Sequence, residues 1–199
     1  MRRHTTRAAL LAASLVATGA TLDAAVTVRA PLVCSRGPSG QRFEAVVTQP
    51  PTAAEGSTYT VRVDGAASGT ISHFGLNHIR DMATDYLVGA GASYVPGSAR
   101  IVPGTGTPNV AEHARVTHEA GLVRLVLPDR VESGSSYTPP SIELRLRVDA
   151  PAGASLALAL REYRVTANAI VVGDLLTTCK PQPTPYPLAT TVVTAAAPP

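Results

Sequence analysis

A chain of 199 residues suits one domain, or one domain with terminal extensions. Hydrophobic residues make up 45% of it but aromatics only 4%, so a core has to be built from Val, Leu, Ile and Ala. The formal charge of +3 comes largely from the first residues. Setting aside Arg2, Arg3, Arg7 and Asp23 leaves 14 basic and 13 acidic side chains, a net +1 with no basic stripe, which excludes an electrostatic nucleic-acid binder.

The N-terminus has the layout of a cleaved Sec-type signal peptide, assigned to residues 1–25. Met1 to Arg7 is basic, and Ala8 to Ala17 is an apolar run of about ten residues where a membrane span needs ~20. Small residues at Ala17 and Gly19, or Thr18 and Ala20, meet the cleavage rule. The mature chain is therefore expected outside the cytoplasm, secreted or associated with the cell envelope, without a transmembrane segment.

Export makes the cysteines informative. There are two, Cys34 and Cys179, and an even pair in an oxidising compartment is expected to be a disulfide. It would close a loop of 145 residues around the whole domain. No histidine lies beside either cysteine to make it a nucleophile.

After the leader, apolar residues alternate with polar ones. Expected strands, in chain order, are Val26–Ser35, Arg42–Thr48, the Tyr59, Val61, Val63 run, Thr70–Leu76 and Ser93–Val102. The Val123, Leu125, Leu127 run follows, then Ser141–Asp149, the Leu156, Leu158, Leu160 run, Tyr163–Val172 and Leu175–Cys179. Ser141–Asp149 is the clearest: Ile142, Leu144, Leu146 and Val148 alternate with Glu143, Arg145, Arg147 and Asp149, as a half-buried antiparallel strand requires. Turn residues such as Asp64-Gly65, Ala120-Gly121 and Gly173-Asp174 separate the runs. Residues 77–88 fit either period: Ile79, Met82 and Tyr86 would share a helical face, whereas Met82, Tyr86 and Val88 would share a strand face, and extended structure is favoured. The expected fold is all-β, an antiparallel Ig-like β-sandwich over residues 26–180 with extra flanking strands, closed by one disulfide. Beyond it, Pro181, Pro183, Pro185 and Pro187 followed by Ala and Thr predict a flexible, polyproline-like tail over 181–199.

The run Thr58-Tyr59-Thr60-Val61-Arg62-Val63, the turn Ala92-Ser93-Tyr94-Val95-Pro96-Gly97-Ser98, and Gly121–Leu127 followed by Glu132–Tyr137 and Ile142–Val148 resemble DUF11-like and related Ig-like modules of bacterial surface proteins. The resemblance spans about residues 57–149 and implies a surface or envelope module without catalysis. The disulfide bracket and the extra strands depart from that pattern.

No motif fixes a chemistry. His73 and His78, and His113 and His118, stand five apart, which on a strand puts them on opposite faces, so no local metal pair is expected. Asp81 and Asp85 with Glu112 or Glu119 could offer oxygen ligands, but the calcium-loop pattern is absent. Ser98, Ser135 and Ser136 lie in turns without a nucleophile elbow. The expectation is thus no catalytic residue, no metal and no cofactor. The most unusual loop is Pro103, Gly104, Thr105, Gly106, Thr107, Pro108 and Asn109, the candidate binding loop. Its removal, with Val102, is expected to alter partner binding and leave the fold intact. The partner class is an unknown protein, glycan or lipid of the envelope. Two rival readings stay open: a carrier with an apolar cavity between its sheets, and a secreted hydrolase.

Overall fold

The computed structural model describes residues 23–37, 39–67, 75–106 and 113–198. The strands, in chain order, are β1 (Ala24–Cys34), β2 (Arg42–Gln49), β3 (Thr52–Ala54), β4 (Thr58–Gly65), β5 (Leu76–Val88), β6 (Ala92–Tyr94) and β7 (Arg100–Val102). They continue with β8 (Arg115–Glu119), β9 (Leu122–Leu127), β10 (Val131–Glu132), β11 (Ser141–Val148), β12 (Ser155–Ala169), β13 (Gly173–Pro181) and β14 (Tyr186–Thr194).

Alternation of side chains turns these strands into two layers. The first sheet runs β1-β2-β4-β11, with β6 and β7 sharing the far edge of β11. The second runs β13-β12-β5-β9-β8, with β10 beside β5. One strand belongs to both. Ala24–Pro31 of β1 pairs with β2, and Leu32–Cys34 pairs with β13. Pairing is antiparallel throughout the described ladders except β14–β3, which is parallel. The inward rows form one core: Val47, Val61, Val63, Leu144 and Leu146 from the first sheet meet Met82, Val123, Leu125, Leu156 and Leu158 from the second. The expected all-β antiparallel sandwich is therefore the fold, and Cys34–Cys179 is its disulfide, with Cα atoms 3.9 Å apart at directly opposed positions.

On β11, Ile142, Leu144, Leu146 and Val148 are buried while Arg145 and Arg147 are exposed and Glu143 is half-buried, as the alternation requires. Residues 77–88 are extended within β5, with Met82, Tyr86 and Val88 buried.

Three expectations differ from the structure. Ser93–Val102 is two three-residue strands rather than one. The Pro96-Gly97 turn separates them, held by the Ser98 hydroxyl donating to the Val95 carbonyl at 2.6 Å. The runs at 156–160 and 163–172 are one strand, β12, whose ladder to β5 is irregular between Leu160 and Glu162 and which ends at Ala169. The expected flexible tail over 181–199 is corrected for residues 186–194, which form β14 between β12 and β3. Leu188, Thr191 and Val193 are buried there. Pro181, Pro183 and Pro185, lacking N–H donors, sit where the chain leaves the ladder between β13 and β14, with cis bonds before Pro183 and Pro185. Pro187 opposes Ala159 at an irregularity that spares it a ladder donation. The expected strand Thr70–Leu76 lies outside the described residues up to Phe74, and Leu76 opens β5.

Two measurements check this core. Leu144→Ala, at a site with no exposure, is expected to cost about 2–5 kcal/mol in urea unfolding; a loss below about 1 kcal/mol would show that β11 is not the core strand. Burial also pushes the Tyr59 hydroxyl up to about 12 and raises Tyr86, Tyr137 and Tyr163 above the ordinary phenol value of 10.0. A phenol raised in the folded state keeps its proton there after the unfolded chain has lost it. Stability is then full below pH 10 and falls as pH rises from 10 toward 12. Phenolate absorbance from these four residues is expected to appear together with unfolding, and their ionisation in a chain that keeps its folded circular-dichroism spectrum would contradict the packing.

Candidate functional site

Many outward residues of both sheets are charged, and most of the acids among the described residues are paired with basic side chains. On the first sheet, Arg62 lies 2.8 Å from Asp64 and 3.1 Å from Glu143, and Arg147 lies 2.7 Å from Asp149. The Ser93 hydroxyl and Arg147 together hold the Asp149 carboxyl below its ordinary value. On the second sheet, Asp85 is 4% exposed and takes two hydrogen bonds from Arg124, at 2.6 and 2.9 Å, and one from Arg164 at 3.4 Å. Near the β12–β13 turn, Asn168 and Arg80 bind Asp174 and lower its carboxyl.

The histidines separate in space. His113 meets Asp129 at 2.9 Å, and among the hydrogen bonds of the described residues no serine hydroxyl joins that pair. His118 packs against Tyr94, with ring centroids 5.1 Å apart. His78 is buried on β5, and His73 lies outside the described residues. Asp81, beside Arg80, and Asp85 do not converge; Glu112 lies outside the described residues and Glu119 is on β8. Among the described residues, no group of three His, Cys, Asp or Glu side chains is placed to hold a metal ion.

The candidate loop is only partly described. Thr107, Pro108 and Asn109 lie outside the described residues. Pro103, Gly104, Thr105 and Gly106 do not hang free: they lie along Ser136–Pro139. Thr105 bridges Thr138, whose N–H donates to the Thr105 carbonyl at 2.9 Å, and their hydroxyls are 3.0 Å apart. At Gly104 a Cβ would stand 1.8 Å from the Thr138 carbonyl oxygen, so only glycine fits. This half of the loop prolongs β7 along the segment leading into β11. Deleting it therefore strips backbone partners from the sheet, contrary to the expectation that the fold would be indifferent.

What the loop leads to was not visible as a motif. It leaves β7, at the edge of the first sheet, and the chain returns as β8, at the edge of the second. Between these edges runs an open groove of about 610 Å³, lined by Tyr94, Pro96, Gly97, Ala99, Ile101, Ala114, Val116 and His118. Ile101 and Val116 are half-buried, and no described strand pairs with the outer edge of β8. A second depression of about 480 Å³ between β3, β4 and Thr194 is lined mainly by Thr, Ala and Ser. A third exposed feature is the β12–β13 turn, where Ile170, Val171 and Val172 are 68%, 92% and 62% exposed. Sequence alternation could have flagged β8 only weakly, because its five residues contain one aliphatic side chain.

Gly104→Ala is expected to lower stability by roughly 1–3 kcal/mol through overpacking against the Thr138 backbone. The denaturation midpoint checks this, and an unchanged midpoint would mean that the loop does not dock.

In fold, the chain is similar to a putative membrane anchored protein from Corynebacterium diphtheriae, with a TM-score of 0.52 and 14% identity over 88% of this chain. It spans only 38% of that protein's chain. Other solved structures superpose more loosely. A collagen-binding domain from a Staphylococcus aureus adhesin gives a TM-score of 0.39 at 10% identity, covering 68% of this chain and 88% of its own. The collagen binding domain of Erysipelothrix rhusiopathiae surface protein RspB gives 0.41 at 12% identity, covering 85% and 56%. No family model matches the chain, and no curated protein matches it.

Proposed function

We propose that this chain is an exported, non-catalytic binding module of the cell envelope or its surroundings, and that it contacts a protein partner through the open edge of the sandwich. The observation that carries the reading is the groove between β6–β7 and β8, bordered by a strand edge that no described strand pairs. Such an edge offers a row of main-chain donors and acceptors, and the groove beside it takes alternate side chains of an added strand. A lipid tail would leave those backbone groups idle, and only an added strand matches their regular spacing, which favours protein.

Several features support this over the rivals. A carrier needs room between its sheets, and that position is occupied by Val47, Val61, Val123, Leu144, Leu146, Leu156 and Leu158, each at most 1% exposed. A serine hydrolase needs a hydroxyl joined to a histidine and an acid, whereas Asp85, Asp64 and Glu143 are engaged by arginines and, among the described residues, no serine hydroxyl joins the His113–Asp129 pair. Export is supported by the basic and apolar leader and by the disulfide. The fold likeness to a membrane anchored protein agrees with an envelope setting.

The test expresses the full chain with its own leader in a bacterial host. The exported protein is expected to begin between residues 20 and 26 by N-terminal sequencing. Hydrogen exchange on that protein is expected to slow at 92–102 and 113–119 when a protein partner is supplied, either the host's envelope fraction or more of the same chain. A chain retained in the cytoplasm with its leader intact, or an edge whose exchange is slowed neither by the envelope fraction nor by raising the protein's own concentration, overturns the proposal.

A further inference from the structure

The turn after β8 decides which of its backbone groups are free. Ala120 and Gly121 have φ of 46° and 79°, the pair of positive values that a two-residue type I′ hairpin requires. Glu119 and Leu122 close that hairpin opposite one another and exchange both of their hydrogen bonds. By alternation Thr117 and Arg115 also turn their N–H and C=O toward β9. Val116 and His118 turn theirs outward, where no described strand receives them. The opposing edge of the first sheet is broken into β6 and β7 by the Pro96-Gly97 turn. β8 is short, but it carries no proline, no lysine and no irregularity in its register with β9, and its two charges, Arg115 and Glu119, stand at its ends.

We propose that β8 pairs with β8 of a second copy of this chain, antiparallel about a two-fold axis through Thr117. This names the partner of the edge assigned above and rests on that reading. The register follows from the backbone. Outward-pointing residues have to meet outward-pointing residues, and the arrangement using the whole strand sets Val116 against His118 of the second copy on each side of a central Thr117 pair. Four main-chain hydrogen bonds result. The same register sets Arg115 opposite Glu119 of the second copy, twice, with all four side chains on the outer face. Sliding the register by two residues in either direction loses both charge pairs. On the inner face, Val116 and His118 of the second copy extend the groove wall beyond Ile101 and Tyr94. The contact is self-complementary and closes at two copies.

Sedimentation velocity on the exported, oxidised protein over a concentration series reads the equilibrium. The wild type is expected to dimerise reversibly. Arg115→Glu replaces two attractive pairs with two repulsive ones and is expected to weaken the dimer about tenfold or more. Glu119→Arg acts in the same direction, although Arg124 lies near that position. The double swap Arg115→Glu/Glu119→Arg is expected to restore dimerisation to within about threefold. Val116→Pro removes an outward N–H without touching the β9 ladder and is expected to give a folded monomer, with the circular-dichroism melt as control. A double swap no better than the single reversals overturns the register. A wild type that is monomeric at every concentration overturns the second copy as partner. If such a monomer still gains envelope protection at 113–119, the binding edge survives and only its occupant is wrong.

Discussion

The architecture depends on β1 belonging to both sheets. A sandwich of two antiparallel layers is held mainly by side-chain contact, which is non-directional and tolerates sliding. Here the sliding is prevented covalently. β1 pairs with β2 up to Pro31 and with β13 from Leu32, and Cys34 is joined to Cys179 directly across that second ladder. On the chain-entropy model, closing 145 residues removes unfolded-state freedom equivalent to about 5 kcal/mol as an upper figure. The bond also sets everything downstream of it. With Cys179 fixed, the Gln182 N–H reaches the Pro31 carbonyl at 3.0 Å, and the chain leaves β12 through its prolines. It re-enters along the same edge of β12 as β14, so β13 and β14 divide one side of the longest strand while β5 holds the other.

Legibility followed from how regularly a strand alternates. β4, β9 and β11 keep strict period two and were readable, because each has one face on the core and one in water. β12 was read as two strands because the irregularity between Leu160 and Glu162 changes which parity faces inward. β5 was ambiguous for a related reason: Asp81 adopts φ 51° where the ladder to β12 shifts, which breaks the alternation. β14 was misread because proline density was weighed over the Ala-Thr-Thr-Val-Val run that follows it. The prolines cluster in the excursion and in one bulge, leaving Leu188 and Val193 to pack. Composition averages over a segment, whereas a ladder asks only about each donor in turn.

The candidate site was less legible than the fold, since it is made of what the strands leave over. A catalytic constellation announces itself by residue type, but an unpaired edge is defined by backbone groups every sequence carries. Gly104 illustrates the difference: the Gly-Thr-rich loop was marked as a candidate binding loop, while glycine stands at 104 because backbone packs on backbone there. The groove needs Tyr94, Ile101 and Val116, residues from three strands that only the topology brings together.

A binding edge works best when its position is set before a partner arrives, because ordering it on contact would consume binding free energy. β8 takes its position from β9 through the two-residue hairpin, and β9 from β5. At the centre of the outer face of that layer, Asp85 on β5 is gripped by Arg124 on β9 and Arg164 on β12. A carboxylate this covered would ordinarily suggest catalysis. Its partners come instead from the two flanking strands, so the cluster fastens three neighbours side by side rather than presenting a charge to a cleft. The inner face of the same strands is fixed by Met82, Tyr86, Val123 and Leu125 in the core. With both faces of β5 and β9 committed, β8 is a placed edge whose outward groups, those of Val116 and His118, no described strand receives.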